Sequence, residues 1–202
     1  MKTPEFFKNI PSITLRDPLA EVLGAAENGI LTYTYEDIVK LSGHSCPTVA
    51  GAYLMVQKGL ESLYGKEIPV RGAIKVHLKG KLGDSVVGVI SNVASMITGA
   101  TDISGFHGLA GKFDRRNLLS YEADITGEIA LERVDTQNKV ILSYDPSFVA
   151  PDPRMGPLLS QIASGSTNEE LRVLFATLWQ DRVKRILINS REDDRLIQCH
   201  LC

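Results

Sequence analysis

The chain has 202 residues, and its 22 Lys+Arg against 24 Asp+Glu leave a net charge of −2. That length allows one domain, or one domain with a small appendage. The near-neutral balance argues against a protein that works by wrapping nucleic acid. With 44% hydrophobic and 23% charged residues the composition is neither disordered nor membrane-like, and the longest apolar runs are too short to span a bilayer. The first eleven residues carry Lys2, Glu5 and Lys8 without an apolar core. No secretory leader is therefore expected, and the cytoplasm is the expected compartment.

In chain order, residues 16–28 place Leu19, Val22 and Leu23 on one helical face behind Pro18. Residues 30–34 read as a short strand, and Thr34 caps a helix over 35–41. After a break at Ser42-Gly43, Pro47 opens a helix to Tyr64, with Val49, Tyr53, Val56, Leu60 and Leu63 as its core face and Gly65 as its stop. Residues 70–78 alternate as a half-buried strand does, Ile74, Val76 and Leu78 inward, Lys75 and His77 outward. A helix from Asp84 or Ser85 to Ile97 competes with a strand over the β-branched stretch 86–93. The glycine-rich stretch 99–111 reads as an ordered loop, and 118–125, 128–134 and 140–144 as antiparallel strands. Four prolines in 146–157 mark a connector. Ser166 or Thr167, with Glu169 and Glu170, then makes a capping box for a last amphipathic helix through Ile186. The pattern predicts an α+β fold, with helices packed on a mainly antiparallel sheet and a C-terminal helical extension. Residues 1–150 would form the main domain, and 151–202 a connector, a helical extension and a Cys-x-x-Cys tail.

Three cysteines are too few for a disulfide framework, and a reducing compartment favours thiol chemistry or metal ligation instead. The densest cluster is Gly43-His44-Ser45-Cys46-Pro47. Pro47 suits the first helical position, which puts Cys46 at the N-cap, where free N–H groups and the helix dipole favour thiolate. His44, two residues earlier, can aim its imidazole at the same point, so a soft sulfur and a borderline nitrogen share one turn, half of a zinc-type site. The plainer alternative is a small buried Cys46 beside a surface His44. Cys199 and Cys202 have the spacing of two ligands of a tetrahedral zinc that His44 and Cys46 would complete. A second copy of the chain could supply those ligands instead, and a frayed terminus is the plain alternative. His107 is a candidate ligand or general acid/base, or else an ordinary loop histidine. The run Asp114-Arg115-Arg116 reads as solvated, with anion binding as its functional alternative.

At Gly43-His44-Ser45-Cys46-Pro47, running into Val49-Ala50-Gly51-Ala52, the chain resembles the FmdE-like family, named after one component of molybdenum formylmethanofuran dehydrogenase. Thr98-Gly99-Ala100-Thr101 resembles the family's T-G-x-T element and Gly111-Lys112-Phe113 its G-K-aromatic element, so the resemblance covers about residues 35–145. It implies an α+β domain that forms homodimers and binds a transition metal, most often zinc, with His44 and Cys46 as ligands. Cys199 and Cys202 would be a partial counterpart of the cysteine-rich module that some members carry at the C-terminus. The chain departs from the family pattern at Ser42 and Ala100, where a histidine and a cysteine are frequent, so any centre built on those residues differs here.

Three functions follow from these residues. In the first, a zinc ion held partly by His44 and Cys46 acts on a small-molecule substrate through an open position, with His107 as proton shuttle. In the second, Cys46 is a metal-free nucleophile with His44 or His107 as base. In the third, the metal is structural and residues 157–189 dock a partner helix.

Overall fold

Strand pairing begins before the first hydrophobic pattern read from the sequence. The computed structural model describes residues 2–202 and pairs Ile13–Arg16 (β1) antiparallel with Ile30–Tyr33 (β2), Ile13 opposite Tyr33. Between them, the helix expected over 16–28 is only Pro18–Val22 (α1). Its apolar residues do not reach the core, since Val22 is 61% exposed. The organising residue is Asp17, whose carboxylate accepts the Leu19 and Ala20 N–H groups at 2.9 and 3.2 Å.

Thr34 caps Tyr35–Ser42 (α2) as expected, and Asp37 returns the bond to the Thr34 N–H. Pro47–Tyr64 (α3) is buried over most of its circumference, Val49, Tyr53, Val56, Leu60 and Leu63 included. A helix apolar nearly all round belongs at the centre of a core. Two of its glycines set how it meets the sheet. A Cβ at Gly51 would overlap the Tyr144 ring, and one at Gly59 would come within 2.6 Å of Leu131.

Ile74–Leu78 (β3) alternates in burial as expected. Val87–Thr98 (α4) settles the competition over 86–93 as helix, because Ile90, Val93, Ala94 and Ile97 lie buried at helical spacing. Tertiary packing outweighs the β-branched preference there. Leu119–Ser120 (β4) is far shorter than the strand expected over 118–125, and it lies parallel to β3 rather than antiparallel. Glu122, at φ 56, turns the chain out of the strand. Ile129–Arg133 (β5) and Lys139–Tyr144 (β6) form the expected antiparallel pair.

Met155–Ala163 (α5) and Glu169–Lys184 (α6) make a helical hairpin, with α6 capped by Asn168 rather than Ser166 or Thr167. A π-helical turn over Arg185–Asn189 follows, and the chain returns as Ile197–Leu201 (β7), antiparallel to β6. The main sheet therefore runs β4-β3-β5-β6-β7. Val183, Ile186, Leu187, Leu196 and Ile197 share one core with α3. Residues 151–202 thus share the core of residues 1–150 and add β7 to their sheet. The architecture is α+β, with helices on a mainly antiparallel sheet. Among the described residues no helix is long and apolar enough to cross a membrane.

Candidate metal centre

The turn between α2 and α3 begins at Gly43, whose left-handed φ of 73 ends α2. The next residues are held from three sides. The Ser45 carbonyl accepts the Trp179 indole N–H at 2.8 Å and the Gln180 amide N–H at 3.2 Å. The Ser45 hydroxyl donates to Gln180 Oε1 at 3.1 Å, which leaves its oxygen to accept the Tyr35 hydroxyl at 3.0 Å. Tyr144 donates to the Pro47 carbonyl at 2.9 Å. Burial pushes the Tyr35 and Tyr144 phenols up, so both stay protonated and able to donate. Trp179 lies at helical spacing from Phe175 and so carries a sequence signal, whereas nothing in the sequence points to Gln180.

Cys46 occupies the N-cap of α3, as its position before Pro47 predicts, and its sulfur accepts the Val49 N–H at 3.4 Å. It is half-buried, packed against the core. His44 is exposed, with Nδ1 2.9 Å from the Ser42 carbonyl oxygen. A carbonyl can only accept, so Nδ1 carries the proton and Nε2 the lone pair. Among the described residues, the Cys46 sulfur has no hydrogen bond to His44 or His107.

The other expected donors lie elsewhere. Cys199 pairs with Leu142 on β6 and packs against the core beside it, in an edge strand rather than a frayed tail. Leu142 abuts Gly59, thirteen residues along α3 from Cys46, about 20 Å at 1.5 Å per residue. That places Cys199 well along α3 from the His44–Cys46 turn. Cys202 follows the end of β7 and is exposed, its sulfur 3.9 Å from the His200 carbonyl oxygen. His107 is exposed on a loop fixed by backbone bonds between Phe106 and Arg115, and between Thr101 and Arg115. Among the described residues no three His, Cys, Asp or Glu side chains are grouped to hold a metal ion. The charge run is not uniformly solvated either, because Arg115 is buried against Asp17.

Trp179→Phe removes one of the two donors on the Ser45 carbonyl and should cost about 1 kcal/mol. The loosened turn should also let Cys46 alkylate faster than in the wild type while the rate at Cys199 is unchanged, as read by peptide mass spectrometry. Equal Cys46 rates in the two proteins would show that the indole does not restrain the turn. Compared with known proteins, the chain matches no family model and no curated protein.

Proposed function

We propose that the protein is a cytoplasmic homodimer that binds a transition-metal ion, zinc, at the His44–Cys46 turn. The observation that carries this reading is the 2.9 Å bond between His44 Nδ1 and the Ser42 carbonyl. A ligating histidine commonly donates its second ring N–H to such a carbonyl, which fixes its tautomer and orientation. Here that leaves Nε2 as the donor atom, two residues from a sulfur at a helix start. Neutral imidazole and thiolate suit zinc. One turn supplies two ligands, so the rest come from a second copy, water or substrate. An ion with an exchangeable position would supply Lewis acidity toward a small-molecule substrate.

Two further observations support the reading. The α5–α6 hairpin, which holds the turn through Trp179 and Gln180, leaves Leu159 49% and Val173 55% exposed. Apolar surface on that hairpin suits a second copy. Cys46, Cys199 and Cys202 are all free thiols, which suits a reducing compartment.

Protein purified without chelator is expected to carry zinc by elemental analysis, and the His44→Ala/Cys46→Ser variant none above background. The Cys199→Ser/Cys202→Ser variant should keep the wild-type content. Equal metal in the wild type and the His44→Ala/Cys46→Ser variant would remove the site, and loss in the tail variant would move it to the tail. Light scattering on the same samples reads the dimer.

A further inference from the structure

Away from that turn, the molecule buries an imbalance of charge. The Asp17 carboxylate accepts Arg71 Nη1 at 2.9 Å and Arg115 Nη2 at 2.6 Å, so two guanidiniums meet one carboxylate. The side chains of Asp17 and Arg115 are 4% and 7% exposed, and that of Arg71 21%. Arg71 also donates from its other two nitrogens, Nε to the Ile97 carbonyl and Nη2 to the Met96 carbonyl. Arg115 does not, since its Nη1 is buried and has no hydrogen-bond partner among the described residues. Buried guanidinium donors are ordinarily satisfied, so Nη1 is a donor with capacity to spare. Burial pushes Arg115 down, and the adjacent Arg71 adds to this against the pull of Asp17.

The backbone is shaped to admit this pair. Gly72 and Gly99 both have positive φ. A Cβ at Gly72 would overlap Arg115 Nη1, and one at Gly99 would lie 3.0 Å from both that nitrogen and Arg71 Nη1. The two arginines also line a cleft of about 210 Å³ whose apolar walls include Pro18, Val70, Ala73 and Phe113, and whose one carboxylate, Asp114, is held by Arg116 at 2.7 Å. A cleft over two arginines that share one carboxylate, with Asp114 already engaged by Arg116 and with apolar sides, has the chemistry of a pocket for an organic anion.

We propose that the cleft over Arg71 and Arg115 binds the carboxylate of a small organic acid whose apolar body rests against Phe113 and Val70. A carboxylate is favoured because the planar guanidinium fork matches it, and the same two side chains already hold that of Asp17. The anion would bring the two guanidiniums into balance with two negative charges. The cleft shares no lining residue with the His44–Cys46 turn, so this inference and the metal reading fail independently.

The test is calorimetric titration of the full chain with benzoate and, separately, with inorganic phosphate, at constant ionic strength set with chloride. Wild type is expected to bind benzoate saturably. Arg115→Met, which leaves Asp17 and Arg71 as a balanced pair, should bind it at least tenfold more weakly while keeping the wild-type circular dichroism. Should that variant not fold, Arg115→Lys keeps the charge without the fork, and the same tenfold loss is expected. Absence of saturable benzoate binding in the wild type would overturn the proposal, as would equal affinity in the variant that folds. Binding of phosphate with benzoate silent would also overturn it.

Discussion

Replacing Asp17 by asparagine is expected to destabilise the protein by about 3–5 kcal/mol, the loss typical when one partner of a buried ion pair is removed. The asparagine oxygen can still accept the Leu19 and Ala20 N–H groups that cap α1, so the loss isolates the charge. Arg71 and Arg115 would then share a buried site with no anion between them. The pH dependence has a definite sign. Burial opposes ionisation of Asp17, but the Arg71 hydrogen bond and the Arg115 charge prevail and hold its carboxyl below the usual range. A depressed folded pKa contributes its stability in full above the unfolded value, near 3.9. That contribution is lost as pH falls through the folded value. Urea unfolding should therefore show the full gap between wild type and Asp17→Asn above about pH 5, closing as pH drops below about 4. A gap that stayed constant across that range would show that the carboxylate charge is not the source of the stability.

Truncating Tyr53 to alanine should cost about 4 kcal/mol. Its side chain is fully buried at the middle of α3, and its hydroxyl donates to the Pro11 carbonyl at 2.8 Å and the Tyr33 carbonyl at 3.2 Å. The ring meets Tyr35 edge to face at 5.5 Å, and Tyr35 meets Phe7 at 5.0 Å. One aromatic line thus ties the N-terminal segment and the start of α2 to the central helix, and the hydroxyl adds β2 through Tyr33. Truncation opens a cavity, removes the hydroxyl from the Tyr33 carbonyl and leaves the Pro11 carbonyl only the Gln57 amide at 3.5 Å. Tyr53→Phe keeps the ring and removes only the hydroxyl's hydrogen bonding, for about 1–2 kcal/mol. At roughly 2–4 °C per kcal/mol for a chain of this size, the alanine variant should melt about 10 °C lower. Calorimetry that found the two variants equally unstable would assign the whole effect to the hydroxyl.

The elements that could be read from the sequence are those whose cause is local. Thr34 and Asp37 cap α2 across three residues, Pro47 and Gly65 bracket α3, and the alternation in 74–78 needs only its own neighbours. The same locality placed Cys46 at a helix start. What escaped the sequence is set by partners far along the chain. Leu19, Val22 and Leu23 are spaced like a core face, yet Asp17 anchors that segment through arginines 54 and 98 residues away. The tail sulfurs have the spacing of zinc ligands, but β6 captures Cys199 in a strand opposite Leu142, while Cys202 lies past the strand's end. Arg115 looks like its solvated neighbour Arg116, and only the fold distinguishes them.

The indole that fastens Ser45 belongs to the only tryptophan in the chain. Its emission therefore comes from a single position, one peptide unit from Cys46. Anything that disturbs the bend, whether an arriving cation, an alkylated thiol or local melting of α6, should register as a change in colour or brightness of that one fluorophore. The protein thus carries a built-in optical reporter at the spot where its chemistry is proposed.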